Sequence, residues 1–155
     1  MKNILITGGG GYVGSNLTKE LLLDGYNVTV LDTFWFGNYL KRHKNLKILK
    51  KDIRMVSDRD IKNIDCIMHL ASIANDPAAE LNAKLTWDVN VLATYKLITL
   101  AINQKVKKFI FASSGSVYGI KKEKKVTEDL SLKPISEYNK SKMIGERVLL
   151  SYKKK

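Results

Sequence analysis

A run of glycines near the amino terminus places the strongest constraint on the fold. Residues 7–14 read Thr-Gly-Gly-Gly-Gly-Tyr-Val-Gly, between a short apolar stretch and a helical pattern over about residues 12–23. Glycine allows a sharp turn and a close approach of strand and helix, because it carries no Cβ. The sequence therefore predicts a strand, a tight turn and a helix. The glycines at a Gly-x-x-Gly-x-x-Gly spacing are Gly8, Gly11 and Gly14.

The rest of the chain alternates between strand and helix patterns. This alternation predicts an α/β fold with a doubly wound parallel sheet, the Rossmann fold. The expected strands are residues 3–7, 27–31, 46–50, 65–70 and 107–112. The expected helices are residues 12–23, one long stretch over 77–103, and residues 136–152 with Ser136 as N-cap. Residues 113–135 are predicted to form a loop.

Composition excludes several classes of protein. The chain has 155 residues and is 45% hydrophobic, which is typical of a globular domain. Its single cysteine, Cys66, excludes an internal disulfide framework and a cysteine-based metal cluster, so we expect no metal. The chain has no apolar stretch long enough for a bilayer and no signal peptide pattern. We therefore expect a cytoplasmic protein without a membrane partner.

The formal net charge of +12 raises the possibility of a nucleic-acid partner. The lysines cluster only at residues 121–122, 124–125 and 153–155, and no aromatic residues alternate with them as a stacking platform requires. Solvated lysines on exposed faces are the favoured interpretation, so nucleic acid is not expected as a partner.

The glycine turn suits a bound pyrophosphate. Its backbone can approach phosphate oxygens closely, and the N–H groups and dipole at the start of the helix favour negative charge. The spacing alone is weak evidence, because Gly9 and Gly10 make accidental matches easy. Its place between a strand and a helix strengthens the prediction of a dinucleotide site.

Two aspartates follow predicted strands. Asp32 lies 18 positions beyond Gly14, where an acid can accept both ribose hydroxyls of NAD and repel the 2′-phosphate of NADP. A role as a turn or cap residue is the alternative. Asp52 and Ile53 could hold the adenine edge, although an aspartate in a simple turn is nearly as good an interpretation. The predicted cofactor is NAD.

A candidate catalytic set lies in the second half of the chain. Tyr138 and Lys142 form a Tyr-x-x-x-Lys pair one helical turn apart, where the ammonium favours the phenolate and equips the tyrosine for proton transfer. Ser114 follows a buried strand, at the sheet edge where ligands bind, and could hydrogen-bond the same substrate oxygen. Serines after a strand also serve ordinary turns, and Ser116 is assigned no more than that.

In this order the motifs resemble the amino-terminal part of an extended short-chain dehydrogenase/reductase, the NAD-dependent epimerase/dehydratase group. The matching pieces are the turn at residues 7–14, Asp32, Asp52-Ile53, His69-Leu70-Ala71-Ser72, Asn90, residues 113–119, and Tyr138 with Lys142. The resemblance implies Ser114, Tyr138 and Lys142 as catalytic residues. It implies the cofactor-binding residues Gly8, Gly11, Tyr12, Val13, Gly14, Asp32, Asp52, Ile53, Leu70, Ala71, Ser72, Asn90, Tyr138 and Lys142.

The resemblance also implies a substrate and an assembly. The substrate would be a nucleotide-diphosphate sugar, and the lysine would also hold the nicotinamide ribose. Family members pair through two helices, here 82–103 and 136–152, so we expect a homodimer. His69 has no catalytic role in the family and is interpreted as structural.

The chain departs from the family pattern at Gly115 and Ser116, where sugar 4,6-dehydratases carry an Asp-Glu pair. Elimination of water would lack its proton carriers, so epimerisation or simple redox is favoured over dehydration. Ser72, at the fourth position of the His-Leu-Ala-Ala segment, is a small departure that puts little in doubt.

Length is the larger departure. Family members continue for roughly as many residues again, so residues 1–155 are expected to be a Rossmann domain truncated before the substrate domain, with negligible turnover on its own. Two alternatives stay open: a non-catalytic dinucleotide-binding module, and a basic nucleic-acid-binding protein that rests on charge alone.

Overall fold

Five parallel strands form one sheet in a computed structural model that describes Met1 to Lys153. The strands are β1 (Asn3–Thr7), β2 (Asn27–Asp32), β3 (Leu46–Lys50), β4 (Cys66–His69) and β5 (Lys108–Phe111). Their order is β3-β2-β1-β4-β5, that of a Rossmann sheet, so the predicted fold class is confirmed.

Six helices connect or follow the strands in this part of the chain. They are α1 (Tyr12–Leu23), α2 (Asp58–Ile61), α3 (Asp76–Leu81), α4 (Ala83–Trp87), α5 (Ala93–Asn103) and α6 (Glu137–Ser151). Short 3-10 turns at Ile53–Met55 and Gly115–Tyr118 and a π-helical turn at Asp88–Leu92 complete the elements. None of these helices combines the length and apolar character that crossing a membrane requires.

The chain divides into two compact units. The first comprises residues 1–72 and 96–112 and holds the sheet, α1, α2 and most of α5; the second comprises residues 73–95 and the chain from 113 onward, with α3, α4 and α6. The expectation of a single NAD-binding domain over residues 1–155 stays a prediction. Residues 154 and 155, which belong to that range and to the last lysine cluster, lie outside the described residues.

The core of the first unit lies in the central strands. Leu5, Ile6, Val30 and Ile67 are completely buried, as expected for strands that are covered on both faces. The outer strands β3 and β5 alternate between exposed and half-buried residues over much of their length. The strand order changes direction at β1, and the crevice at such a switch point, beyond the carboxyl ends of the strands, is where ligands bind in this architecture.

The long helix predicted over residues 77–103 is wrong in one respect, because it is interrupted. At Asn82 the backbone leaves the helical region (φ −152°, ψ 87°), and the Asn82 side chain accepts a hydrogen bond from the Leu85 N–H to begin α4. Asparagine competes with helical hydrogen bonding in this way, which a periodicity of apolar residues does not reveal. The predicted N-cap of α6 is confirmed, since Ser136 Oγ accepts from the Asn139 N–H at 3.1 Å.

Candidate functional site

Two glycines of the turn are required by the protein's own packing. Gly8 has a φ of +75°, and a Cβ there would lie 2.5 Å from the backbone nitrogen of Ala71. A Cβ at Gly14 would overlap the carbonyl oxygen of Gly8. Any side chain at either position would force the backbone of the turn apart. The packing of the protein itself therefore requires glycine at both positions, whether or not a ligand binds.

Gly9 and Gly10 also have neighbours that leave no room for a side chain. A Cβ at Gly9 would lie 2.6 Å from a methyl group of Val30, and one at Gly10 would lie 2.7 Å from the ring of Phe34. These two glycines therefore have a packing reason of their own and are not mere repeats within the pattern.

Gly11 differs from the other glycines of the turn. A Cβ there would meet only the Gly8 carbonyl oxygen, at an ordinary 3.4 Å, and the φ of −75° suits any residue. Gly11 opens α1 without a side-chain cap, and the next two residues, Tyr12 and Val13, are 88% and 62% exposed. The space in front of the first turn of α1 is open, and a side chain at Gly11 would partly fill it. This arrangement fits a phosphate group, which needs close backbone approach and free N–H donors.

We expect Gly11→Ala to leave the fold intact and to weaken NAD binding by at least about tenfold, because the methyl group holds the phosphates away from the N–H groups. Calorimetric titration with NAD measures this, with thermal unfolding as the check on the fold. The matched variant Gly14→Ala should instead lower the free energy of unfolding by about 1–3 kcal/mol through overpacking. Equal NAD affinity in Gly11→Ala and the unmodified chain would contradict the assignment.

Asp32 joins the glycine turn to the segment after β2. One carboxylate oxygen accepts from the Gly10 N–H at 2.9 Å, and the other accepts from the Phe34 N–H at 2.7 Å. The carboxylate thus has a turn-stabilising role, as the alternative interpretation held. Each oxygen keeps further lone pairs, so a ribose hydroxyl can be bound at the same time.

Asp52 caps the 3-10 turn that follows β3. It accepts from the Arg54 N–H at 2.8 Å and forms an ion pair with the Arg54 guanidinium at 2.7 Å. Those hydrogen bonds hold the pKa of the Asp52 carboxyl below its usual value. Ile53 is buried in the core. The geometry supplies both residues with structural roles, and their contact with adenine stays a prediction.

The segment after β4 runs directly beside the glycine turn. The Leu70 N–H donates to the Thr7 carbonyl at 2.9 Å, and Gly8 packs against the backbone of Leu70 and Ala71. His69 is buried, with Nδ1 2.6 Å from Thr7 Oγ1 and its ring centroid 6.0 Å from that of Phe109. The structure thus brings Leu70 and Ala71 to the candidate phosphate site, with the half-buried Ser72 next along the chain.

In the second unit, α6 places Tyr138 and Lys142 on one face. The Lys142 ammonium lies 5.8 Å from the centre of the Tyr138 ring. Lys142 is only 3% exposed, and this burial lowers the pKa of its ammonium to about 8. A buried lysine that titrates near neutral pH beside a half-buried phenol is the kind of pairing found at proton-transfer sites.

Ser114 and Ser116 form a pair of hydroxyls. Their Oγ atoms are 2.6 Å apart, and Ser114 Oγ also accepts from the Ser116 N–H as the N-cap of the 3-10 turn Gly115–Tyr118. Ser116, for which the sequence predicts only a turn, therefore orients the predicted catalytic serine. A hydroxyl two positions after another at a helix start is a detectable signal for such a pair.

Asn90 lies in the π-helical turn and is buried. Its side chain accepts from the Ile73 N–H at 2.8 Å and donates to Ser141 Oγ at 2.9 Å, and Ser141 donates to the Tyr138 carbonyl at 2.7 Å. These bonds give Asn90 a part in positioning α6, and its contact with the cofactor stays a prediction. Sequence reasoning missed Ser141 altogether.

Comparison with known proteins gives the family. Residues 4–155 match the profile of the NAD dependent epimerase/dehydratase family. The chain belongs to this family. The resemblance read from the ordered motifs is thereby confirmed.

Relatives in the family carry epimerase names. The chain is 34% identical over 151 residues to a UDP-glucose 4-epimerase of Lactobacillus helveticus, covering 94% of this chain and 46% of that protein. It is 31% identical to a putative UDP-glucose 4-epimerase of Methanocaldococcus jannaschii, covering 96% of this chain and 50% of that protein. The chain thus spans about half the length of these relatives.

The solved structures that resemble this chain also include 4-epimerases that act on UDP-sugars by name. A UDP-N-acetylglucosamine 4-epimerase from Methanobrevibacter ruminantium is 32% identical with a TM-score of 0.92, over 97% of this chain and 50% of that one. A UDP-glucuronic acid 4-epimerase from Bacillus cereus, solved with UDP-glucuronic acid and NAD, is 30% identical with a TM-score of 0.89, over 97% and 52%. Solved structures similar to this chain thus include one with both NAD and a sugar nucleotide bound.

Proposed function

We propose that this chain carries the cofactor site and the catalytic residues of an NAD-dependent nucleotide-sugar epimerase or dehydrogenase. The observation that supports this most is the pair on α6: a phenol with a buried lysine ammonium 5.8 Å from its ring centre. Such a pair equips the second unit to move a proton to and from a sugar hydroxyl.

For the cofactor, the first unit offers groups that fit NAD. The open space at Gly11, the N–H groups that begin α1, and the Asp32 carboxylate suit a pyrophosphate and a ribose with two free hydroxyls. When bound, NAD supplies hydride acceptance and return. The remaining proposed contacts are Gly8, Tyr12, Val13, Gly14, Asp52, Ile53, Leu70, Ala71, Ser72, Asn90, Tyr138 and Lys142.

Tyr138 is the proposed proton carrier. Its phenol oxygen takes the proton of a sugar hydroxyl while the carbon that bears this hydroxyl is oxidised to a carbonyl. The phenol returns the proton when the carbonyl is reduced again. Lys142 stabilises the negative charge on the phenol oxygen and holds the nicotinamide ribose through its ammonium. Ser114 donates a hydrogen bond to the substrate oxygen, and Ser116 holds the Ser114 hydroxyl in place.

The proposed substrate is a nucleotide-diphosphate sugar, as in the relatives' names. Gly115 and Ser116 bring no carboxyl group to the turn after β5, so proton carriers for water elimination are absent from these two positions. Epimerisation or simple oxidation and reduction at a sugar hydroxyl is therefore favoured over dehydration.

Turnover with a panel of UDP-sugars and NAD tests the function directly. Because relatives are about twice as long, we expect negligible turnover from residues 1–155 alone. We expect activity when they are fused to the remaining half of the L. helveticus epimerase. Rapid turnover by residues 1–155 alone would contradict this expectation, and an inactive but folded fusion would contradict the catalytic proposal.

Asp32 is expected to make the chain prefer NAD over NADP. Asp32→Ala should weaken NAD binding by about 1.5–3 kcal/mol, since the ribose hydroxyls lose a charged acceptor. Calorimetry with both cofactors measures the preference. Asp65→Ala is the control, because Asp65 likewise accepts two backbone N–H bonds, from Lys2 and Asn3, at the opposite end of β1. Tighter binding of NADP by the unmodified chain would overturn the assignment.

We also propose a homodimer that forms through the helical stretches 82–103 and 136–152. Leu92 and Tyr95 are exposed on the first stretch, whereas Val91, also expected at this contact, is buried. Light scattering should return the mass of a dimer, and Leu92→Glu should shift it to that of a monomer. A monomer mass for the unmodified chain at all workable concentrations would refute the proposal.

A second candidate is a dinucleotide-binding module without turnover. The half-length match to the relatives favours it, since their named activities belong to proteins about twice as long. NAD binding together with an inactive, folded fusion would distinguish this module from the enzyme.

A further inference from the structure

Ser141 has a buried position on α6, directly before Lys142 and three residues after Tyr138. The residue is 0% exposed. A buried hydroxyl must find its partners within the protein, because water cannot reach it. Ser141 Oγ donates to the Tyr138 carbonyl oxygen at 2.7 Å and accepts from Asn90 Nδ2 at 2.9 Å. The hydroxyl is therefore used both as a donor and as an acceptor inside the second unit.

The backbone of Ile73 holds the Asn90 amide in one orientation. Asn90 Oδ1 accepts from the Ile73 N–H at 2.8 Å, and Asn90 Nδ2 donates to the Ile73 carbonyl oxygen at 3.1 Å. Exchanging the amide oxygen and nitrogen would place donor against donor and acceptor against acceptor. In the orientation that remains, Nδ2 also donates to Ser141 Oγ. This bond leaves the proton of the serine hydroxyl for the Tyr138 carbonyl.

The bond from Ser141 acts on the helical turn that joins Tyr138 to Lys142. In an α-helix the carbonyl of Tyr138 accepts from the N–H of Lys142, so the hydroxyl bonds to the same carbonyl that closes this turn. A serine that bonds back to a carbonyl of the preceding turn often bends the helix at that point. The geometry of this turn sets the position of the Lys142 ammonium, 5.8 Å from the centre of the Tyr138 ring.

We propose that Ser141 is a positioning residue for the pair Tyr138 and Lys142, and that Asn90 holds its hydroxyl in place. This role rests on the function proposed above for the pair. Ser141 acts through the backbone of the turn and needs no contact with the substrate. Because a displacement of about 1 Å can cost roughly 100-fold in rate, loss of the hydroxyl should affect the chemical step more than substrate binding.

Kinetics of the active fusion test this role with three substitutions at one position. Ser141→Ala removes the hydroxyl, and Ser141→Cys keeps a similar shape with only a weak donor. Both should lower kcat by about 10–100-fold and change KM for the UDP-sugar by less than about twofold. Ser141→Thr keeps a hydroxyl that can bond to the same carbonyl, so its kcat should stay within about threefold of the unmodified fusion.

Ser151→Ala is the matched control on the same helix. Ser151 Oγ also donates to a carbonyl three residues earlier, that of Val148, at 2.7 Å, but it lies at the exposed end of α6. Its kcat should be unchanged, because this bond is remote in sequence from the turn of Tyr138 and Lys142. Thermal unfolding shows that each variant is folded at the assay temperature.

Hydrogen exchange in the 155-residue chain tests the same turn without turnover. The backbone amide of Lys142 should exchange at least about tenfold faster in Ser141→Ala and Ser141→Cys than in the unmodified chain. Its rate should be nearly unchanged in Ser141→Thr and Ser151→Ala. The amide of Ile6 in the core of the sheet should keep its rate in every variant, which separates a loosened turn from global unfolding.

Three results would overturn the role of Ser141: a folded Ser141→Ala or Ser141→Cys fusion that keeps more than about half of its kcat, an equal loss of kcat in Ser151→Ala, or an unchanged exchange rate of the Lys142 amide in Ser141→Ala. A folded fusion that is inactive with Ser141 present would instead refute the proposed function. Hydrogen exchange would then still decide whether Ser141 fixes the turn.

Discussion

Tyr138→Phe is expected to lower kcat by about 10²–10⁴-fold while leaving NAD affinity nearly unchanged. The substitution removes the phenol oxygen that carries the proton and keeps the ring beside Lys142. The substitution also keeps the contacts proposed for NAD at the glycine turn, Asp32 and Lys142, so little of the cofactor site changes. Turnover is measured in the active fusion, and NAD binding is measured by calorimetry in both forms of the protein.

Tyr152→Phe is the matched control for this prediction, because Tyr152 lies at the exposed end of the same helix. It should have unchanged turnover. A Tyr138→Phe variant that kept more than about a tenth of the activity would exclude the tyrosine as the proton carrier.

Lys142→Met should abolish turnover and yet stabilise the fold near pH 7. Burial lowers the pKa of Lys142 from an ordinary 10.5 to about 8, which corresponds to a cost of roughly 3 kcal/mol for keeping the ammonium in the folded protein. Methionine has a similar length and carries no charge. The gain should be at most roughly 3 kcal/mol, because the interactions of the ammonium are also lost.

The free energy of unfolding should depend on pH through the protonation of Lys142. Below about pH 8 the Lys142 side chain is protonated in both the folded and the unfolded chain, so burial of the ammonium destabilises the folded chain to its full extent. Between about pH 8 and 10.5 only the unfolded chain still binds it, so the stability of the unmodified chain rises with pH relative to Lys142→Met. Denaturant unfolding across this range measures the difference, with Lys140→Met as the control on the same helix. A Lys142→Met chain that was less stable at every pH would refute the account.

Much of the sheet could be predicted because its signals are local. The bounds of β1, α1 and β3 agree with those expected from apolar runs, the glycine turn and the turn residues around them. Strands that are buried on both faces are continuous apolar stretches in the sequence. The strand order follows from right-handed crossovers in a chain that alternates strand and helix.

The elements that were missed depend on single side chains. The break at Asn82 rests on one amide that caps α4, and the short helix α2 rests on a capping box between Ser57 and Asp60. A Ser-x-x-Asp pattern is visible in the sequence, but it competes with many similar patterns in loops.

At the candidate site, the spacing of residues on one helix could be predicted better than their hydrogen-bond partners. The sequence placed Tyr138 and Lys142 one turn apart, and the structure shows the same spacing, because helix geometry fixes it. The hydrogen bonds of Asn90 to Ile73 and Ser141 join parts of the chain that are far apart in sequence. No local pattern reveals such partners, so the support that Asn90 gives to α6 could not be predicted, and its contact with the cofactor stays a prediction.

The two outer strands of the sheet share a feature that limits how copies of this chain can aggregate. In the described residues β3 bonds only to β2 and presents the exposed lysines Lys47 and Lys50 beside Ile48, while β5 bonds only to β4 and presents Lys108 beside Ile110. Lysines discourage a further strand from adding to an edge, and both edges carry them. Joining two copies edge to edge would bring like charges together, so growth of the sheet from one copy to the next is disfavoured at either side.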